Sequence, residues 1–513
     1  MMHTSINVVR GFLSGDGALI LPEMELVLFA WGILLIGRWL RANEKHWNAL
    51  LALAGTAFSG FTLYVQHGKM QALRAVNPEL PGLLGFRQSV LIDPFFLFFS
   101  VLFLAATVLV ILFSVRYLEI AEEGRGAYYA LLLFACVGMM LMVSGVDLIV
   151  VFFGLQIMSL SSFLLTGFAR SSGAKPLRGY AFLWACSSFA LAGGFLVLYG
   201  LYQTTNLGRM GAILETRLDN GVASGGLTAW PAPLALGLLV VGVFFLIDAA
   251  PLHWFAPGAC DSAATPVAAY LRIVAMTAGF ALLLRFFSFL FIFAHENWIH
   301  VWGAAAIVSL LWGNIAALRQ TTIRRLLAYG SVAQAGFILL GLVAGNEAGF
   351  SGMMYYLGVH VFMIAGAFGI LALLQQRGAV PTRFADLAGL YWRSPAAAFL
   401  LLVFMMSLAG VPPTAGFLAK YYIVKALLRA PHPELAAFAV VNALLSVYYY
   451  GRVAAYAWKR PAYEAAPLER PALAALAISS GQTIALTTAV FVSLAAGLYP
   501  EPFLRMARYA FGQ

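Results

Sequence analysis

The chain has 513 residues, of which 62% are hydrophobic and only 10% are charged, and its formal net charge at pH 7 is +10. Soluble domains carry about 25% charged residues, so this composition excludes both a soluble globular protein and a soluble chain with a single membrane anchor. The basic residues lie in short segments between apolar runs, as in the loops of membrane proteins, so the positive charge does not indicate nucleic-acid binding.

Apolar runs long enough to span a bilayer recur along the chain. Since a span needs about 20 apolar residues, they predict an all-α polytopic membrane protein with about 14 transmembrane helices. In chain order the predicted spans lie near residues 18–40, 47–65, 94–115, 127–145, 147–168, 180–203, 232–257, 261–287, 298–318, 325–345, 352–375, 395–428, 433–458 and 481–503. No cleavable signal peptide is predicted, because the segment before the first span is mixed and polar.

Basic residues fall on alternate connections between the predicted spans. One side takes Arg38, Arg41, Lys45, Arg116, Arg125, Arg170, Lys175, Arg178, Arg319, Arg324, Arg325, Arg377, Arg383, Arg393, Lys459, Arg460 and Arg470. The positive-inside rule puts these loops in the cytoplasm and therefore both termini on the outer side. Lys69, Arg74 and Arg87 are expected on the outer side, so the rule holds here as a bias.

Proline interrupts two of the predicted spans. The stretch Ser407–Lys420 reads SLAGVPPTAGFLAK and places Pro412 and Pro413 in the middle of the twelfth span, and Pro251 interrupts the seventh. A proline removes a backbone donor and clashes with the preceding turn, so the helix must break and its freed carbonyls need partners in protein or in a water-filled cavity. A broken helix with one lysine, Lys420, is how transporters build ion sites. The alternative is a kinked span whose lysine reaches the headgroups.

The fourth to eighth and the ninth to thirteenth spans look like two copies of one five-helix unit. Each copy has its proline-broken helix in the corresponding place, which indicates two inverted five-helix repeats, the alternative being two chance kinks. The chain is therefore divided into an N-terminal part with three transmembrane helices (1–126), a first repeat (127–287), a second repeat (298–458) and a C-terminal loop with the last helix (459–513).

Several stretches resemble the antiporter-like membrane subunits of respiratory complex I, the bacterial NADH-quinone oxidoreductase, and among them most closely subunit N. The P-P-T-A-G-F segment that ends in Lys420 is similar to the subunit N motif, whereas the sister subunit M has glutamate at the lysine position. The resemblance extends over nearly the whole chain. Its other landmarks are Leu21–Glu23, Asp93–Phe95, Pro251–Pro257, Asn314–Gln334, Asp386, Gly389–Leu390 and Tyr448–Arg452.

This resemblance implies a multi-pass subunit of the bacterial cell (inner) membrane that couples quinone reduction to proton transport. It would be a non-redox part of an NADH:quinone oxidoreductase, with no catalytic chemistry of its own. Glycine-rich and metal motifs are missing, and Cys136, Cys186 and Cys260 form no C-x-x-C, so no cofactor or metal is expected on this chain. NADH, FMN, iron–sulfur clusters and quinone are expected on partner subunits. The expected partners are the antiporter-like subunits M and L, small membrane subunits and the lipid bilayer.

In this family protons are thought to move along a row of buried ionisable side chains at the membrane midplane. The resemblance places an acid on the fifth span and lysines on the sixth, seventh, eighth and twelfth. At these positions this chain has Gln156, Gly179, Leu246, Met276 and Lys420, so only the last lysine remains. The first repeat is therefore expected not to conduct protons, and any proton path is expected to reach Lys420 through the second repeat.

Four ionisable residues near the lost positions are further candidates for the proton path. Asp248 either pairs with Arg272 across the broken helix or accepts hydrogen bonds from backbone donors freed near Pro251. Arg272 stays protonated, so it fixes a charge rather than relaying one. His253 either titrates in the relay or is structural. His360, on the eleventh span, faces either the relay or an aromatic neighbour.

Three functions remain open on this reasoning. The chain is a proton-translocating subunit N, a structural subunit of the same complex whose own channel is silent, or a component of a multi-subunit cation/proton antiporter. The identity of neighbouring genes separates the third from the other two. The proton stoichiometry of the assembled complex separates the first from the second.

Overall fold

A computed structural model describes residues 15–40, 44, 46–77, 80, 82–121, 125–168, 176–219, 231–253, 258, 260, 263–290, 295–374, 383–460 and 479–511. Within these residues almost all of the regular structure is α-helix, beside one pair of short strands. Counted over the same residues, 11 helices are long and apolar enough to cross a membrane. The prediction of an all-helical, membrane-spanning chain is therefore confirmed.

The helices and strands follow one another along the chain with short connections. The first half contains α1 (Leu21–Ile36), α2 (Trp47–Val76), β1 (Leu83–Gly85), β2 (Val90–Ile92), α3 (Pro94–Ala121), α4 (Arg125–Ser144), α5 (Leu148–Leu165), α6 (Pro176–Tyr202), α7 (Leu207–Asp219) and α8 (Pro231–Ile247). The second half contains α9 (Thr265–Phe289), α10 (His295–Leu318), α11 (Ile323–Ala344), α12 (Glu347–Leu373), α13 (Leu390–Arg393), α14 (Pro395–Ala409), α15 (Ala415–Arg429), α16 (Pro433–Trp458), α17 (Ser480–Leu498) and α18 (Glu501–Ala510). The strands β1 and β2 pair antiparallel.

Three features differ from the spans predicted from the sequence. Helix α2 continues to Val76 rather than ending near residue 65. The last predicted span, 481–503, is two helices, because the chain leaves the helical path at Tyr499 and Pro500 and starts again at Glu501. The strand pair and the short helix α7 were not predicted. Their residues are mixed in polarity, so apolar run length does not detect them.

Helices α9, α11 and α12 form the centre of the fold. They are buried on nearly all sides, as expected for helices that are apolar around their whole circumference. Helices α2, α6, α16 and α17 instead expose large apolar side chains such as Phe61, Phe189, Leu444 and Phe491. In a membrane-spanning chain such side chains face lipid or a partner subunit. The polar residues of the central helices are therefore held away from lipid.

A buried ion pair joins the N-terminal helices to α9. Asp93 precedes α3 and accepts a hydrogen bond from the Phe96 amide at 2.8 Å. Arg285 on α9 donates to both Asp93 carboxylate oxygens, at 2.6 and 3.1 Å. Its Nε also donates to the Val143 carbonyl at the end of α4, at 3.0 Å, and its guanidinium carbon lies 4.6 Å from the centroid of the Phe95 ring. One arginine thus fixes the positions of three helix ends.

Replacing Arg285 with methionine is expected to destabilise the folded chain. The substitution leaves the Asp93 carboxylate buried without its cation, and breaking a buried pair in this way costs about 3–5 kcal/mol. The measurement is the thermal transition of the purified assembly. The matched control is Arg505→Met, because Arg505 pairs with Glu501 at 3.1 Å on the exposed surface, where ion pairs contribute little. Equal transition temperatures in the two variants would contradict this role.

Candidate functional site

The first proline-broken helix ends in a left-handed turn. Asp248 follows α8 with a φ of +54°, a conformation that aspartate adopts more readily than most residues. The next amide, that of Ala249, donates to the Phe244 carbonyl at 3.1 Å, which is the Schellman pattern of a helix C-terminus. Pro251 comes three residues after Asp248, where it prevents the helix from restarting at once. The turn therefore places the Asp248 carboxyl at the end of α8.

The second broken helix ends in the same pattern. Gly410 follows α14 with a φ of +84°, and the Val411 amide donates to the Met406 carbonyl at 3.0 Å. Pro413 comes three residues after Gly410, as Pro251 does after Asp248. The two breaks therefore match residue for residue, except that an aspartate occupies the left-handed position in one and a glycine in the other.

Lys420 lies on α15, just after the second break, and is only 5% exposed. Its Nζ donates to the Ala409 carbonyl at 2.7 Å, to the Leu408 carbonyl at 3.2 Å and to the Ser446 hydroxyl at 3.0 Å. An ammonium group has three donors, so all of them are used. The Nζ also lies 4.9 Å from the centroid of the Phe337 ring. The lysine is therefore held at the helix break and does not extend towards headgroups.

The break explains why an ammonium is stabilised at this place. Leu408 and Ala409 are the last residues of α14, so the interruption frees their carbonyls at the negative end of the helix dipole. Gly410 makes room for the lysine, since a Cβ at this position would lie 2.8 Å from Lys420 Cδ. Among the described residues, none of the ion pairs includes Lys420. The charge is therefore held by carbonyls and a hydroxyl alone.

A row of polar side chains leads from the lysine towards α12. The Leu408 carbonyl also accepts from Gln334 Nε2 at 2.9 Å, and the Tyr356 hydroxyl donates to Gln334 Oε1. His360 lies one helical turn after Tyr356 on the same face of α12. It is fully buried, and neither ring nitrogen has a hydrogen-bond partner among the described residues. The predicted candidates Lys420 and His360 thus lie at the two ends of one row.

Gln334 and Tyr356 were not among the residues selected from the sequence. Gln334 is the last residue of the family-like segment Asn314–Gln334, and Tyr356 belongs to an apolar stretch rich in aromatic residues. The available signal was an amide inside an apolar helix, since a buried amide needs hydrogen-bond partners. A tyrosine in an aromatic stretch gives no comparable signal.

A second buried charge site lies at the first break. Arg272 Nη1 and Asp248 Oδ2 are 2.5 Å apart, and both side chains are 5% exposed. Of the two arrangements that the sequence left open, the structure shows the pair across the broken helix. Arg272 also lies close enough to His360 for the two to interact electrostatically, since α9 packs against α12. The ion pair therefore continues the row beyond His360.

His253 lies among aromatic rings. It is 3% exposed, and its ring centroid is 5.7 Å from that of Trp312 and 6.5 Å from that of Tyr329. Its Nδ1 has no hydrogen-bond partner among the described residues. These contacts agree better with a structural histidine than with a relay group. The Trp254–Pro257 part of the family-like segment lies outside the described residues.

The lost family positions of the first repeat are neutral and closely packed. Gln156 Nε2 donates to the Ser188 hydroxyl at 3.1 Å, and its Oε1 accepts from Trp184 Nε1 at 3.0 Å. Leu246 and Met276 are buried among apolar side chains. A Cβ at Gly279 would lie 3.1 Å from the Leu246 Cβ, so α8 and α9 are in close contact here. Gln156 is thus satisfied by neutral partners.

The chemistry open to this arrangement is the binding and release of protons away from water. Lys420, His360 and Asp248 are able to titrate, whereas Arg272 keeps its charge. The hydrogen bonds between Lys420 and Gln334 run through a shared carbonyl and therefore couple the positions of the two side chains. Within the part of the chain that the structure describes, no three His, Cys, Asp or Glu side chains are close enough to hold a metal ion.

Comparison with known proteins agrees with this geometry. Residues 145–446 match the family described as NADH:quinone oxidoreductase/Mrp antiporter, transmembrane. NADH-quinone oxidoreductase subunit N 2 of Solibacter usitatus is 39% identical over 96% of this chain and 97% of its own length. Subunit N of Trichlorobacter lovleyi is 33% identical over 98% and 99%. A chain of Thermus thermophilus respiratory complex I with bound aureothin has a TM-score of 0.76 and 26% identity, covering 94% of this chain and 99% of that chain. The chain therefore belongs to the NADH:quinone oxidoreductase/Mrp antiporter transmembrane family and, within it, to the subunit N proteins of bacterial NADH-quinone oxidoreductases.

Proposed function

We propose that this chain is the membrane subunit N of a proton-translocating NADH-quinone oxidoreductase and that it couples quinone reduction to proton transport across the membrane. The observation that carries the proposal is the Lys420 site, where a buried ammonium is held by the carbonyls of a broken helix and one hydroxyl. A charge at the bilayer centre costs about 2.5–3.5 kcal/mol on insertion scales, so such a group indicates a function. The names of the relatives support the same conclusion.

The row of polar side chains explains how the site responds to charge. Lys420 uses three acceptors as an ammonium, and a neutral amine has only two N–H groups to offer them. Release of its proton therefore changes the hydrogen bonding of the Leu408 carbonyl, which Gln334 shares. Gln334 in turn accepts from Tyr356, one turn from His360. A charge change at His360, next to Arg272, is thereby coupled to the protonation of Lys420.

The repeat architecture is part of this proposal. About 14 transmembrane helices would form two inverted five-helix repeats, residues 127–287 and 298–458, between an N-terminal part of three transmembrane helices (1–126) and a C-terminal loop and last helix (459–513). Support comes from the two helix breaks, which share the left-handed residue, the Schellman hydrogen bond and the following proline. Inverted repeats in transporters place their broken helices around a site near the midplane.

The first repeat is proposed to be closed to protons. Gln156 is satisfied by Trp184 and Ser188, and Leu246 lies in close contact with α9. An amide keeps the shape of a carboxyl but carries no exchangeable charge. The proton path is then expected to run through the second repeat. The second candidate function, a structural subunit with a silent channel, is favoured by the same replacements and is distinguished by the Lys420 experiment described in the Discussion.

The setting of the subunit follows from the same proposal. It would be a multi-pass protein of the bacterial inner membrane with both termini on the outer side, by the distribution of basic loops. Its partners would be the antiporter-like subunits M and L and small membrane subunits, which would contact the exposed apolar faces. NADH, FMN, iron–sulfur clusters and quinone would be bound by partner subunits.

Purification of a tagged form of this chain from its host membrane tests the assignment. We expect it to co-purify with other antiporter-like subunits and with cofactor-bearing subunits, because its exposed apolar faces need partners or lipid. The measurement is the list of subunits recovered and the NADH:quinone activity of the preparation. Recovery as a stable single chain that exchanges ions by itself would contradict the proposal. Recovery with antiporter subunits alone would assign it to a cation/proton antiporter.

A further inference from the structure

A buried carboxyl outside the Lys420 row has no partner. Glu23 lies in the first turn of α1 and is 3% exposed. Neither carboxyl oxygen has a hydrogen-bond partner among the described residues, and none of their ion pairs includes it. Burying a carboxylate without donors or a cation is very costly, so the group is stable here only with a proton bound. The proton is therefore the ligand that this environment selects.

Other polar side chains continue from Glu23 into the protein. Cys136 on α4 lies within electrostatic range of Glu23, and the Thr107 hydroxyl on α3 lies beside both the Cys136 thiol and the Tyr270 hydroxyl. All of these side chains are buried. Tyr270 on α9 also donates to the Leu132 carbonyl at 3.1 Å. A second polar row thus crosses from α1 to α9.

Helix α9 carries both rows on different faces. Tyr270 and Arg272 are two residues apart, which separates their directions by about 200° around an α-helix. Tyr270 accordingly reaches α4, while Arg272 pairs with Asp248 and lies near His360 on α12. A change at one face of this buried helix is therefore able to affect the other.

The remaining groups around Glu23 do not neutralise it. Glu25, on the same helix, accepts from the Thr62 hydroxyl at 2.9 and 3.0 Å and so has its own partner on α2. Gln66 on α2 donates to the Ala18 and Leu19 carbonyls. The ionisable groups near Glu23 in the described chain are thus Glu25 and Cys136, and neither is a cation.

We propose that Glu23 is a proton-binding site, separate from the Lys420 row, that gains and loses a proton during turnover of the complex. One carboxylate oxygen accepts a proton to give the acid, and the reverse step releases it, with no other bond changed. The first turn of α1 lies next to the loop that enters the membrane, which is a short route to the aqueous phase on that side. The part concerning turnover rests on the function proposed above, whereas proton binding itself does not.

The experiment compares the wild-type complex with Glu23→Gln and Glu25→Gln. Glutamine keeps the size and polarity of glutamate but cannot bind the proton, and Glu25 provides a matched carboxyl with its own hydrogen-bond donor. In infrared difference spectra between light and heavy water, the carbonyl band of a protonated carboxyl should be lost in Glu23→Gln and kept in Glu25→Gln. In proteoliposomes, Glu23→Gln should lower the protons pumped per electron without lowering electron transfer, and Glu25→Gln should leave the ratio unchanged.

The two readouts separate the possible failures. A carboxyl band that remains in Glu23→Gln, or a normal pumping ratio in that variant, would overturn the proposal. Loss of pumping in Lys420→Ala tests the proposed function independently of either result. Should Glu23→Gln not assemble, the wild-type complex is treated with a carbodiimide, which adds to protonated buried carboxyls, and the modified peptides are identified by mass spectrometry. Modification of Glu23 would support the proposal, and an unmodified Glu23 would overturn it.

Discussion

The Lys420→Ala complex is expected to lose most of its proton pumping while it continues to transfer electrons from NADH to quinone. The substitution removes the ammonium that holds the Leu408 and Ala409 carbonyls and Ser446, and it leaves no titratable group at the second break. The redox chemistry is expected on partner subunits, so electron transfer does not need this side chain directly. The measurement is the number of protons pumped per electron in proteoliposomes that contain the assembled complex.

Two further variants serve as controls for Lys420→Ala. Gln156→Ala removes a neutral side chain at a corresponding family position, so it should reduce pumping much less. Lys420→Arg keeps the positive charge but cannot release a proton readily, so it should assemble and still pump poorly. Equal proton-to-electron ratios in wild type and Lys420→Ala would show instead that the channel of this subunit is silent and that its role is structural.

The Asp248→Asn variant is expected to destabilise the chain strongly. Asparagine tolerates the left-handed conformation at this position, so the backbone of the break is preserved and only the charge is removed. Arg272 is then buried without its counter-charge, which costs about 3–5 kcal/mol when one partner of a buried pair is lost. The measurement is the thermal transition and the yield of assembled complex.

A double variant separates the loss of charge from the loss of contacts. Asp248→Asn combined with Arg272→Gln replaces both charges by amides of similar shape, so most of the lost stability should return. No recovery in the double variant would contradict the view that the cost comes from an unpaired charge. Pumping by Asp248→Asn, expressed per electron in the assembled fraction, should be nearly normal if the first repeat is closed. A large loss in that ratio would indicate a shifted proton path through Asp248.

The amino-acid sequence was sufficient to predict the helical membrane fold and the family. Run length and low charge define spanning helices because lipid offers no partner to an exposed backbone, and the observed all-helical chain and the relatives confirm both predictions. The position of the two breaks also followed from the sequence, since proline cannot continue a helix. The number of spans, the inverted repeats and the roles of individual residues remain predictions.

Other features depended on the tertiary structure. The sequence allowed Asp248 two partners, and only the packing of α9 against the first break brings Arg272 within 2.5 Å. The direction of the Lys420 side chain was likewise open, and the C-terminal carbonyls of α14 decided it. Gln334 and Tyr356 join the row because α11 and α12 turn these side chains towards each other. The physical reason is common to all three cases. Run length and proline depend on local backbone physics, whereas the partner of a buried polar group depends on helices far apart in the chain.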